Sequence, residues 1–89
     1  MLPVAFDPRK DGLNQAKHGV SLAEAARLEW GSAVIWTDLR WAYGEVRQCA
    51  IGYIGLRLHC VVFVERTDER RVISLRKANK REIRFYAEA

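Results

Sequence analysis

No stretch of this sequence stays apolar for the roughly 20 residues that a membrane helix needs. Pro3 and Asp7 interrupt the start and no apolar segment follows them, so no secretory signal is expected. Cysteine is scarce: Cys49 and Cys60 sit at no spacing that suits a metal, and they read most simply as buried thiols of a cytoplasmic protein. There is no Walker loop, no HExxH, no CxxC and no paired-aspartate site. Repeats and linkers are also missing. These absences leave metal-free acid–base or electrostatic chemistry, with no cofactor expected.

What is present is a chain of 89 residues, 49% hydrophobic and 29% charged, the balance of one folded domain spanning residues 1–89. A core of that size gives modest stability, which a permanent partner would raise. The net charge of +4 is unevenly placed. Residues 1–44 carry five Lys/Arg against five Asp/Glu, whereas residues 45–89 carry ten against six and hold the whole excess. That asymmetry points to an anionic partner for the second half, nucleic acid or an acidic protein.

Asp7-Pro8 predicts a helix start, a capping carboxylate followed by proline at the first helical position. The helix through His18 is polar, with Leu13 and Ala16 its candidate core residues, and Gly19 suits a left-handed C-cap. Ser21-x-x-Glu24 reads as a capping box opening a second helix that Gly31 ends. The period then becomes alternating. Strands are expected over 33–37, 45–53, 56–65 and 71–75, the third apolar on both faces and therefore central. Asn79-x-x-Glu82 predicts a last helix starting near Lys80, with Ile83 and Tyr86 inward. Helices followed by strands indicate an α+β fold: two N-terminal helices, a three- to four-stranded antiparallel meander and a C-terminal helix.

Several charged groups suit chemistry on phosphate. Arg66 and Arg76 each follow a predicted strand, and guanidinium donors match phosphate oxygens at any physiological pH. Simple solvation, or pairing with Glu65, Asp68 or Glu69, explains them equally well. Lys17-His18 end the first helix, where the helix dipole favours cations, yet His18 is also the residue type that exchanges a proton near neutrality. Glu45 and Arg47 share a strand face, either as an ion pair or as a base beside a phosphate-binding cation. His59 lies within the apolar strand and reads as packed. Trp36, Trp41 and Tyr43 offer rings for base stacking, although aromatics in a small domain more often fill the core.

The segments FDPRKDGLNQAKHGVSLAEAA, GEVRQCAIG and VVFVERTDERRVISLRKANKREIRFY resemble, in order, the blocks of the BrnT family, ribonuclease toxins of bacterial type II toxin–antitoxin systems. Phe6 stands where the family often has Trp, and Leu75 where Ala is common. The resemblance implies a RelE-like fold that cleaves RNA and is neutralised by an antitoxin similar to BrnA. That partner would carry a ribbon-helix-helix DNA-binding domain, and the complex would repress its own operon. Carried over, the catalytic candidates are His18, Glu45, Arg47, Arg66 and Arg76, with Glu45 or His18 as base. Lys17, Lys77, Lys80 and Arg81 would bind backbone phosphate. The competing reading is a non-catalytic basic module that binds nucleic acid or an acidic protein.

Overall fold

The computed structural model describes residues 2–40, 42 and 44–89. In chain order the elements are strand β1 (Val4–Ala5), helix α1 (Pro8–His18), and 3-10 helices at Leu22–Arg27 and Trp30–Ser32. Strands β2 (Val34–Thr37), β3 (Gln48–Ile54), β4 (Arg57–Glu65) and β5 (Arg70–Lys77) follow, and then helix α2 (Lys80–Glu88). The five strands form one sheet in the order β1-β5-β4-β3-β2. Strands β2 to β5 pair antiparallel in sequence order, and β1 adds a parallel edge, Val4 opposite Arg70 and Ala5 opposite Arg71.

The fold is α+β as expected, but the expected RelE-like plan needs two corrections. First, the sheet has five strands and is mixed, because β1 joins it. Two residues are too few to show alternation, so no pattern marks that strand. Second, among the described residues a single α-helix lies between β1 and β2, and the expected second one is the 3-10 helix Leu22–Arg27. The reason is spacing. Leu22, Ala25 and Leu28 recur every third residue and are all buried, and a period of 3.0 stacks them on one face. The Ser21 side chain accepts from the Ala23 N–H, while Glu24 pairs with Arg27 at 2.8 Å instead of closing a capping box.

Helix α1 begins and ends as its sequence dictates. Asp7 accepts from the Arg9 N–H at 2.8 Å, and Gly19, at φ 72°, donates its N–H to the Gln15 carbonyl. Its buried residue is neither Leu13, which is 72% exposed, nor Ala16, but Asn14 at 6%. β1 pairs only with Arg70 and Arg71, so the outer edge of β5 beyond them has no strand beside it among the described residues. Asn14 takes that place. Its Oδ1 accepts from the Leu75 N–H (3.2 Å), and its Nδ2 donates to the Leu75 carbonyl and to the Val20 carbonyl (2.8 Å each). One amide thus satisfies a buried strand residue and fixes the turn after α1. Asp11 adds a second tie, accepting from Ser21 Oγ (3.0 Å) and the Leu22 N–H (2.7 Å), and the latter bond chiefly holds its carboxyl below the usual range.

One sheet face packs Ala50, Val61, Phe63, Val72 and Leu75 under Leu22, Ala25, Leu28 and Trp30. Gly52 on β3 permits the close approach of that cover: a Cβ there would lie 3.2 Å from both Leu28 Cγ and Ala33 Cβ. The opposite face carries Ile51, Leu58 and Cys60, with Ala78, Trp36, Tyr53 and Tyr86 packed against them. β4 is central and buried on both faces, as its sequence predicts. A β-bulge sets which residues of β5 face which way. Phe63 pairs with Val72 but Val62 with Ser74, so Ile73 is an extra residue. Val72 and Leu75 therefore both enter the core, and Arg76 emerges on the α2 face opposite Cys60.

Helix α2 has no buried residue. It is held by its capping box, by edge-to-face contacts of Tyr86 with Tyr53 and of Phe85 with Trp36, and by a two-pronged bond from Arg76 to Glu82 (2.7 and 2.8 Å).

Two predictions follow from these anchors. Asn14→Ala strands the Leu75 N–H and carbonyl, and should lower the unfolding free energy by about 2–4 kcal/mol at roughly 1–3 kcal/mol per unsatisfied group. Denaturant titration would show it, with the exposed Gln15→Ala as a near-neutral control. The second concerns acid. Arg76, and then the Asn79 N–H, hold the Glu82 carboxyl below its ordinary 4.5. Its tether is therefore complete above pH 4.5 and is lost as pH falls through the lower folded value. Hydrogen exchange should show α2 amides losing protection in acid before those of β4. Simultaneous loss in both would rule the tether out.

Candidate functional site

The α2 face of the sheet carries a cleft between β2 and α2. Cys49, Ile51, Cys60 and Val62 form its floor, and Trp36 and Phe85 stand at its side. It comprises two adjoining lobes of about 540 and 530 Å³ that share Trp36, Arg40, Arg76 and Glu82. Arg81, in the first turn of α2, lines the first lobe, and Asp38 the second.

Arg76 occupies the cleft because the bulge turns it to this side, and Glu82 meets it because the capping box fixes the start of α2. Glu82 Oε1 accepts from Arg76 Nη1 (2.7 Å) and also from the Asn79 N–H (2.9 Å), while Oε2 accepts from Arg76 Nη2 (2.8 Å). Arg76 Nη1 also donates to the Lys77 carbonyl at 3.3 Å. Three of the five guanidinium donors are thus engaged, leaving two for a ligand. The bond to Glu82 raises the Arg76 pKa further, against the effect of partial burial. Arg40 is held in a similar way by the buried Asp38, at 3.0 and 3.1 Å. Burial pushes the Cys60 thiol up to about 12 and raises Cys49 too, so neither is a thiolate at neutral pH.

A second groove adjoins the cleft across β5. It is lined by Lys10, Lys17 and His18 of α1, by Ser74, and by Arg47. His18 is half-buried, and desolvation first, then Lys17 and Arg76, lower its pKa from 6.5. The imidazole is therefore neutral at physiological pH and able to take a proton, and the charge of Arg76 reaches it.

The structure accordingly unites some of the sequence candidates and separates others. His18, Arg47 and Arg76 gather around the Ser74–Arg76 segment of β5, with Lys17 in the same groove and Arg81 across the cleft. Glu45 and Arg66 form their own exposed ion pair at 3.3 Å. Arg66 lies six residues along the chain from Cys60, the partner of Arg76, or about 20 Å at ~3.3 Å per residue. Glu45 and Arg47 also precede β3 in a loop rather than sharing a strand face, because β3 starts only at Gln48. Lys77 is exposed and, by strand alternation, points to the face opposite Arg76. Lys80 is exposed at the α2 start. Trp41 and Tyr43 lie outside the described residues. His59 is buried, its Nδ1 2.9 Å from the Arg57 carbonyl oxygen.

The sequence reading missed Glu82, Asp38 and Arg40 as cleft residues. For Glu82 its spacing from Asn79 already gave the cap, and that assignment concealed the second role. Nor is every cation of the basic half at this site: Arg70 packs over the Trp30 ring at 4.1 Å and pairs with Glu65 at 3.0 Å. Among the described residues no group of three His, Cys, Asp or Glu is placed to hold a metal, and no helix is long and apolar enough to cross a membrane.

Comparison with known proteins identifies the family. No curated protein sequence matches the chain. The crystal structure of the Brucella abortus ribonuclease toxin BrnT superposes with a TM-score of 0.67 at 29% identity, covering 90% of this chain and 100% of that one. Residues 6–82 match the family described as ribonuclease toxin, BrnT, of type II toxin-antitoxin system. That match spans most of the chain, and the chain belongs to the BrnT family of type II ribonuclease toxins.

Proposed function

We propose that this ribonuclease toxin cuts RNA without a metal ion, at the junction of the cleft and the α1 groove, with Arg76 at its centre. The observation that carries the proposal is the Arg76–Glu82 fork, which presents a fixed guanidinium with donors to spare within charge reach of a neutral imidazole. His18 takes the proton of a ribose 2′-hydroxyl, and the freed oxygen attacks the adjacent phosphorus. The bond to the 5′-oxygen breaks, and that oxygen takes up a proton from water in the open cleft. The products are a 2′,3′-cyclic phosphate and a 5′-hydroxyl. Arg76 stabilises the charge that builds on the phosphorus oxygens, with Arg47 assisting from the groove. Lys17, Lys80 and Arg81 hold neighbouring phosphates without reading sequence. Glu45 and Arg66, distant from this centre, and Lys77, on the other face, contact the strand further along or not at all.

A type II toxin implies an antitoxin partner. We infer that the partner is similar to BrnA, with a ribbon-helix-helix domain through which the complex reaches operator DNA, and that both act in the cytoplasm.

Two outcomes test the mechanism. Arg76→Ala should lower cleavage of total RNA in EDTA by about 10²- to 10³-fold, the effect of removing one oxyanion donor, while circular dichroism shows a folded chain. Arg76→Lys should recover only part, since an ammonium cannot fill the fork. Undiminished growth arrest on induction of Arg76→Ala would defeat the assignment, and intact RNA with wild-type protein would favour a pure binding module. The second test uses pH. A base must be neutral, so the rate should fall on acidification through the His18 pKa, below 6.5, and His18→Gln should remove that limb along with most of the rate.

A further inference from the structure

Among the described residues three aromatic pairs meet edge to face, and one differs from the others. Trp30–Phe63 is sealed in the core. Tyr53–Tyr86 joins α2 to β3. Trp36–Phe85, with centroids 5.5 Å apart and planes at 77°, borders the arginine-lined cleft, and Phe85 is 49% exposed. Rings set near a right angle form an L-shaped corner, in which a third flat ring can lie on one face while its edge meets the other.

We infer that this corner is a nucleobase subsite, in which one unpaired base of the RNA lies against Trp36 and Phe85 while its phosphate sits on Arg76 and Arg81. This rests on the ribonuclease reading above and adds to it where the strand is gripped beside the cut. Three features of the cleft favour that occupant. Arg40, Arg76 and Arg81 against Asp38 and Glu82 leave net positive charge next to the rings, so the ligand is both flat and anionic. The lobe, about 540 Å³, falls in the roughly 300–1,000 Å³ range of small-molecule sites and admits a nucleotide. The cap uses Asn79 Oδ1, which accepts from the Glu82 N–H, so its amide NH₂ remains to donate to a base edge. A base held here carries its own ribose towards Arg76, which positions the adjoining phosphodiester instead of leaving the strand to slide along a basic face.

The test compares two non-cleavable ligands, a fluorescein-labelled 2′-O-methyl oligoribonucleotide and its abasic counterpart, by anisotropy at one salt concentration. Trp36→Ala and Phe85→Ser should each weaken binding of the base-bearing strand by about tenfold, within the ~5- to ~150-fold that stacking of one base supports, and leave the abasic strand unchanged. Arg81→Ala should weaken both ligands alike. Trp36→Phe keeps an aromatic face and should restore most of the affinity, and circular dichroism of each variant separates lost stacking from lost fold. If wild-type protein cuts RNA yet the aromatic variants bind both ligands as it does, the corner is overturned and the ribonuclease reading stands. If wild-type protein neither cuts nor binds RNA, that reading falls and the corner with it. If the aromatic variants lose only their grip on the antitoxin, the corner is a protein-docking site and the inference is wrong.

Discussion

The two-pronged bond between Arg76 and Glu82 is the contact on which the rest of this site depends. It closes the end of β5 onto α2, a helix too thinly packed to stay by burial alone. It also orients a guanidinium that would otherwise sample many rotamers at a half-exposed position. Because Glu82 also completes the cap with Asn79, the backbone that starts α2 and the side chain that anchors it are fixed by one carboxylate. A single, partly buried charge pair at the surface adds only modestly to bulk stability. Its value lies in geometry: the same atoms set where the cation sits and where the aromatic side of the cleft begins.

Much of the frame was legible because it is written in local chemistry. Asp7-Pro8, Gly19 and Asn79-x-x-Glu82 act through neighbours one to four residues away, and each does in the structure what its residue type dictates. β4 announced itself by being apolar on both faces. The failures share the opposite character. Asn14 looks like any polar helix residue until β5, 61 residues away, presents an unpaired edge. The three-residue spacing of Leu22, Ala25 and Leu28 was present in the sequence, but the capping-box pattern at Ser21 masked it.

The site was legible in kind and less so in arrangement. Residue type alone nominated His18, Arg47 and Arg76, which do come together, and also Glu45 and Arg66, which pair elsewhere. Spacing along the chain could not tell these groups apart, since the distinction depends on how far along the sheet each strand end falls. Similarly, the excess charge of the second half is shared between the cleft and structural tasks such as Arg70 over Trp30.

The bulge at Ile73 has a consequence that concerns counting more than chemistry. In a regular strand Val72, Ser74 and Arg76 would share one face, and a core residue at 72 would send the arginine inward. One extra residue reverses the parity, so the hydrophobic and functional halves of β5 are each read in their own frame. Substitution at position 73 leaves that arithmetic intact, whereas deletion of it does not. The location of the proposed catalytic cation is thus encoded in the number of residues between Val72 and Leu75, so the length of that segment matters to the site in a way that its side chains do not.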